Sequence, residues 1–215
     1  MKLWDALLDL FFPARCAFCR RLTQQGAAVC PSCLARLPST GSAARQDFSG
    51  LEGCWSALYY VDSVRSSLLR YKFGGANLYA KPYGEILAKC IDENKVSCDS
   101  ITWVPLSRKR LRRRGYDQAK LLAEETAGIL GLPCVPMLRK LRNNPPNSGA
   151  GNADKRRRNV KNAYAALEGA QIRGKRVLLI DDIVTTGATL CECASVLKRA
   201  GASAVLGATL ARRRD

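Results

Sequence analysis

From residue 54 onward the apolar positions follow two rhythms in turn. The runs 54–61 (CWSALYYV), 101–106 (ITWVPL), 176–181 (RVLLID) and 202–210 are short and almost continuously apolar, the pattern of strands buried on both faces. A weaker run at 133–138 is a further short strand candidate. Between them, 63–72, 76–91, 116–130 and 188–200 repeat at helical spacing. In 116–130, for example, small or apolar residues stand at 119, 122, 123, 126, 127 and 130. Strand and helix alternating in this way predict an α/β domain with a parallel sheet covered on both sides. Such sheets bind ligands beyond the carboxyl ends of their strands.

The front of the chain is different. Residues 38–53 (PSTGSAARQDFSGLEG) hold few large apolar side chains and read as a linker. The predicted organisation is therefore a front module over 1–37, a linker over 38–53 and the α/β domain over 54–215. Leu3, Trp4, Leu7, Leu8 and Phe11 fit one helical face, either packed on the domain or lying on a membrane surface. Asp5 and Asp9 interrupt that run, which argues against a secretory leader. No stretch is long and apolar enough to span a bilayer, and the expected location is the cytoplasm.

Ten cysteines in such a chain call for an explanation other than a disulfide framework. Cys16-x-x-Cys19 and Cys30-x-x-Cys33 are two knuckles able to offer four thiolates to one structural zinc ion. Redox pairs or unrelated core cysteines are the alternatives. Cys191 and Cys193 are too close for a third knuckle, since on a helix their side chains diverge by roughly 200°.

Charge narrows the function classes. The formal net charge is +17, which favours polyanionic partners: phosphorylated metabolites, nucleic acid or anionic lipid. The chain has no histidine, so the commonest general base and metal ligand are excluded.

Against this basic background, VLLIDDIVTTGATL (177–190) ends an apolar strand in two acids. Thr185, Thr186, Gly187, Ala188 and Thr189 then lead into a helix. Small residues expose backbone N–H groups, hydroxyls add donors, and the helix start adds partial positive charge, which together make a phosphate cradle. Asp181 and Asp182 could accept hydrogen bonds from adjacent hydroxyls or sit near a divalent cation. A ligand with a vicinal diol and a phosphate is a ribose 5-phosphate. A capped turn with solvated acids is the bland alternative.

This stretch resembles the ribose-phosphate motif of the type I phosphoribosyltransferases. The resemblance implies that Asp181 and Asp182 hold the ribose hydroxyls of phosphoribosyl pyrophosphate (PRPP) and stabilise the ribose in any reaction. It implies that 185–189 wraps the 5-phosphate and that Mg²⁺ accompanies the ligand. By position after a strand, Ser107, Arg108 and Lys109 would bind pyrophosphate. The front knuckles, YKFGG (71–75), VPLSRKRLRRRGYDQA (104–119) and RRRNVKNAY (156–164) together resemble the ComF (GntX-like) family, nearly end to end. That family is linked to natural competence and the use of external DNA. The implied fold is a type I phosphoribosyltransferase-like α/β domain behind a small four-cysteine zinc module. Two departures stand out. The family's RGxNQ is Arg114-Gly-Tyr-Asp-Gln118 here, and its Thr-x-x-Gln stretch is replaced by NNPPNSGAGN (143–152).

The basic stretches leave two functional readings open. Arg139, Lys140 and Arg142 with Lys155, Arg156, Arg157 and Arg158 could form a hood over pyrophosphate. Alternatively, Arg110, Arg112, Arg113, Arg114, Arg156, Arg157 and Arg158 could track single-stranded DNA, with Trp103, Tyr116 or Tyr164 as stacking surfaces. Plain solubility is the third use of such charge. The expected partners are thus PRPP or a ribose 5-phosphate ligand, single-stranded DNA, and proteins of DNA uptake or recombination. Whether turnover occurs, and on which acceptor, is left open by the sequence.

Overall fold

A computed structural model of the chain describes residues 14–23, 27–143 and 158–214. The N-terminal helical face at residues 3–11 and the cations Lys155, Arg156 and Arg157 lie outside the described residues. In chain order the elements are α1 (Pro31–Ala35), β1 (Arg45–Gln46), β2 (Cys54–Tyr59), α2 (Asp62–Phe73), α3 (Ala80–Glu93), β3 (Ser100–Trp103) and α4 (Arg108–Arg114). They continue as α5 (Gln118–Leu130), β4 (Leu138–Lys140), β5 (Tyr164–Ala166), β6 (Arg176–Val184), α6 (Ala188–Arg199) and β7 (Ala204–Arg212).

Five strands form one sheet in the order β1-β2-β7-β6-β3. The last four run parallel, as the apolar runs predict, and β1 adds an antiparallel edge. β7 is buried at every position, which a strand between two parallel neighbours requires. A core lies on each face. One unites Leu178, Ile180 and Leu206 with Leu68, Tyr71, Tyr83 and Leu122 from α2, α3 and α5. The other unites Val177, Leu179 and Val205 with Leu190, Cys193 and Leu197 of α6 and with Leu138 and Tyr164 of a small antiparallel β4-β5 sheet.

Several boundaries differ from the sequence pattern, each for a physical reason. Residues 38–53, expected as a linker, carry β1, and Thr40 Oγ1 donates to the Ser56 carbonyl at 2.5 Å. Backbone pairing orders this stretch where its side chains offer no apolar signal. The run 101–106 stops as a strand at Trp103, because Pro105 has no N–H to give a ladder. The run 133–138 contributes a bridge from Cys134 to Ile101 and, at Leu138, the first residue of β4, with Pro133 and Pro136 limiting its pairing. The seven residues of α4, RKRLRRR, have no apolar period at all. The helix forms because the Ser107 side chain accepts from the Arg110 N–H at its start and Gly115, at φ 81°, closes its end.

Candidate functional site

β2, β6 and β7 end together at Tyr59, Val184 and Arg212, while β3 stops at Trp103 opposite Ile180; the two acids of β6 lie at this end. β6 continues through both acids to Val184 instead of releasing the chain at Asp181. Successive residues of a strand face opposite sides of the sheet. Leu178 and Ile180 pack toward α2, α3 and α5, while Val177 and Leu179 pack toward α6. Past the acids this alternation breaks, since Ile183 packs with the first core and Val184 with the second, so the direct contacts place the carboxylates.

Asp182 is 4% exposed, and its Oδ1 lies 2.9 Å from Lys72 Nζ. Asp181 is only half-buried and accepts the Asp182 N–H at 2.8 Å. Burial, then the neighbouring Asp182 charge, push the Asp181 carboxyl up to about 7. Lys72 opposes that rise, followed by the Asp182 N–H and then Lys140, whose own ammonium is held below the usual lysine range by burial. Lys140 donates to the Tyr164 hydroxyl at 2.8 Å and sits 4.8 Å over its ring.

The loop at 185–187 follows directly, and Gly187 begins α6 at φ 69°. A β-carbon there would come within 2.3 Å of Phe48, whose ring lies against the glycine. Glycine is required at this turn on both counts.

The two basic stretches converge. A cavity of about 430 Å³ is lined by Ser107, Arg108, Lys109 and Arg112 on one side and by Arg139, Lys140, Leu141, Arg142 and Asn143 on the other. Ser107 Oγ donates to Asn143 Oδ1 at 2.6 Å and so ties the two walls together. Six cationic side chains and no acid line this space, a composition suited to a polyphosphate group. The expected pyrophosphate residues Ser107, Arg108 and Lys109 are thus brought together with the second cluster.

Other predicted residues are separated from this cavity. Arg114 turns inward, donating to Gln118 Oε1 at 2.7 Å and stacking 4.7 Å over Phe73. Burial lowers its guanidinium's proton affinity, and the Asp182 charge partly restores it. Arg113 is exposed, and Arg110 and Arg158 are not among the lining residues. As a base-stacking surface Tyr164 is unavailable, being buried under Lys140. Tyr116 donates its hydroxyl to the Tyr71 carbonyl. The variant Asp117 earns its place structurally: one oxygen accepts the Leu106 N–H at 2.9 Å, and the other caps α5 through Ala119 and Lys120. The contact of Lys72 with Asp182 is one that the hydrophobic pattern does not reveal. Its only sequence signal is the YKFGG stretch in which Lys72 stands.

At the front, the sulfurs of Cys16, Cys19, Cys30 and Cys33 lie within 4.8 Å of one another. The Cys19 and Cys30 sulfurs are 3.7 Å apart. A zinc–sulfur tetrahedron with bonds of about 2.3 Å has edges of about 3.8 Å, so the donor set and its spacing fit zinc. The Cys30 N–H donates to Cys16 Sγ at 3.4 Å, which supports the thiolate form. Cys54, Cys90 and Cys193 are buried singly, and among the described residues no other cysteine joins a metal-ligand cluster. The module is bonded to the α/β domain: Ser67 Oγ and Arg70 donate to the Ala17 carbonyl, and Arg70 also to that of Phe18 at 3.0 Å. No helix among the described residues is long and apolar enough to cross a membrane.

Comparison with known proteins finds likenesses along most of the chain. Residues 117–215 match the family described as phosphoribosyl transferase domain, and residues 7–45 that described as double zinc ribbon domain. Competence protein F of Haemophilus influenzae is 27% identical over 196 residues, covering 86% of this chain and 79% of that protein. DNA utilization protein YhgH of Escherichia coli strain K12 is 28% identical over 200 residues, covering 88% and 86%. Among solved structures, a glutamine PRPP amidotransferase from B. subtilis complexed with ADP and GMP is 27% identical. That match covers 61% of this chain but 26% of the other, at a TM-score of 0.43.

Proposed function

We propose, for a chain that is a homologue of the ComF proteins with a phosphoribosyl transferase domain behind a zinc ribbon, that the site at the end of β6 binds PRPP in the service of natural competence and the use of external DNA. The observation that supports this reading is the six-cation cavity, whose lining residue Lys140 also acts electrostatically on Asp181. Asp181 offers an acceptor for a ribose hydroxyl. The turn at 185–189 offers small residues and a helix start for the 5-phosphate. The six-cation cavity offers room and charge for pyrophosphate.

The cavity lining contains no carboxylate, so Mg²⁺ fits as an ion carried in on the phosphate oxygens rather than one caged by the protein. Bound in that way it would neutralise charge on the pyrophosphate. In a transfer reaction an acceptor would attack C1 of the ribose as the C1–oxygen bond to pyrophosphate breaks, and the acceptor's proton would pass to solvent. Asp181 would orient the ribose, and Arg108, Lys109 and Arg112 would stabilise the departing charge. The same six cations exceed what one pyrophosphate pairs with, which favours a second ligand of the same charge, single-stranded DNA.

Calorimetric titration of the intact protein with PRPP and Mg²⁺ tests the first reading. Binding is expected for the wild type, and Asp181→Asn should weaken it about 10- to 100-fold, the loss of one hydrogen bond to a charged group. Absence of any PRPP binding by the wild type would overturn it.

A further inference from the structure

We infer that the zinc module belongs to the support of the ligand site: Ser67 and Arg70 are positioning residues that tie the first cysteine knuckle to α2, and α2 carries that order through Lys72 to the end of β6, so that zinc and PRPP each strengthen the other's binding. The part that concerns PRPP rests on the PRPP reading; the link between knuckle and strand does not.

The knuckle meets α2 through main-chain groups that lie between two of its own ligands. Ala17 and Phe18 stand between Cys16 and Cys19, so an ion held by those sulfurs fixes where their carbonyls point. Ser67 Oγ and Arg70 both donate to the Ala17 carbonyl, Arg70 at 2.8 Å, and Arg70 also donates to the Phe18 carbonyl at 3.0 Å. Without an ion, four sulfurs gathered within 4.8 Å lose the bonds that keep them there, and the carbonyls lose their aim.

Helix geometry turns this contact toward the site. Arg70 and Lys72 are two residues apart, so their side chains leave α2 roughly 200° apart. Arg70 reaches the knuckle, while Lys72 reaches Asp182 Oδ1 at 2.9 Å. The last turn of α2 is thus a strut with the knuckle on one side and the site-bearing strand on the other. Both acids feel it, since Lys72 is paired with Asp182 and its charge also acts on Asp181. A second path runs through rings. Phe18 packs on Tyr83 at 5.9 Å, and Tyr83 meets Tyr71 edge-on at 5.1 Å. Tyr71 adjoins Lys72 in the chain and donates its hydroxyl to the Gln118 carbonyl at 2.8 Å. Tyr71 and Tyr83 are fully buried, and a close-packed stack of this kind transmits a displacement rather than absorbing it.

Three measurements on the full chain test the link. Amide hydrogen exchange without PRPP compares the zinc-loaded protein with protein stripped by a chelator, and both with zinc-loaded Ser67→Ala/Arg70→Met, which keeps all four cysteines and stays usable where the stripped chain unfolds. Stripping and the double variant should each speed exchange about tenfold at 70–74 and 180–184, with less than about threefold change at 190–197 of α6. No acceleration, or the same acceleration in all three segments, overturns the link. In calorimetry with PRPP and Mg²⁺, the stripped protein and the double variant should each bind about tenfold more weakly, and Arg70→Lys, which keeps a donor for the carbonyls, should lose less. Zinc affinity, read by competition with a coloured chelator, should rise by the same factor of about ten when PRPP saturates the wild type, and should not respond to PRPP in the double variant. Undiminished PRPP affinity in the stripped, folded chain, or a wild-type zinc affinity that ignores PRPP, overturns the mutual strengthening. If the wild type binds no PRPP, the ligand reading fails, and hydrogen exchange alone decides whether the knuckle orders the end of β6.

Discussion

Loss of the front metal site should be felt in the α/β domain. Cys16→Ser removes one of four sulfurs whose spacing fits a zinc tetrahedron. A module this short cannot hold its shape without the metal. Its attachment then fails in a way the structure allows to be sized. Phe18 is 3% exposed and packs 5.9 Å from the Tyr83 ring, centroid to centroid. Exposing it costs about 2 kcal/mol. The Arg70 bonds to the Ala17 and Phe18 carbonyls and the Ser67 bond to Ala17 add about 1 kcal/mol each. The sum is about 5 kcal/mol, and for a chain of this size it corresponds to a fall of about 10–20 °C in unfolding midpoint. Elemental analysis of the purified wild type should show about one zinc per chain. Thermal unfolding, before and after chelation, should show the drop, and Cys16→Ser should mimic the chelated protein. Unchanged zinc content in Cys16→Ser would refute the ligand assignment. A chelated protein that unfolds at the original temperature would refute the coupling between module and domain.

Two further changes follow from particular contacts. The double variant Arg108→Ala/Arg112→Ala should weaken PRPP binding about 10- to 100-fold while ribose 5-phosphate, which lacks the pyrophosphate, keeps its affinity within about threefold; equal losses for both ligands in calorimetry would show that the cavity does not hold pyrophosphate. Gly84→Ala should destabilise by about 1–3 kcal/mol, because its new β-carbon would stand 2.5 Å from Glu125 Cβ where α3 crosses α5. An unchanged unfolding midpoint would contradict that close crossing.

The apolar rhythm predicts the parallel sheet and its helices because burial on both faces leaves few alternatives for those runs. It is silent where structure depends on backbone groups or caps. β1 forms from Arg45 and Gln46, neither of them apolar, by completing hydrogen bonds along β2. α4 forms from six cations and one leucine between the Ser107 cap and Gly115. The cavity shows the same limit at the site. Ser107, Arg108 and Lys109 are separated in sequence from Arg139, Lys140 and Arg142 by a whole helix, α5, and a run of charges cannot say which other run it faces. The Ser107–Asn143 hydrogen bond that closes the two walls has no pattern in the sequence.

The acid pair is the sharpest case, because the motif is legible and its geometry is not. A strand that ended at Asp181 would release both carboxylates into a loop, where two neighbours can turn toward one ligand. The backbone instead stays paired with β7 through Ile183–Ala211 and Val184–Arg212. Beyond the acids the alternation of 177–180 is broken, for Ile183 packs with the α2-side core and Val184 with the α6-side core. A buried aspartate on the α2 side then requires a cation from α2, and Lys72, four residues from Leu68 in the core and so on the inward side of that helix, meets the requirement. A difference of three residues in where one strand ends thus decides whether the acids stand in a loop or on a paired strand, with Asp182 ion-paired to Lys72 of α2.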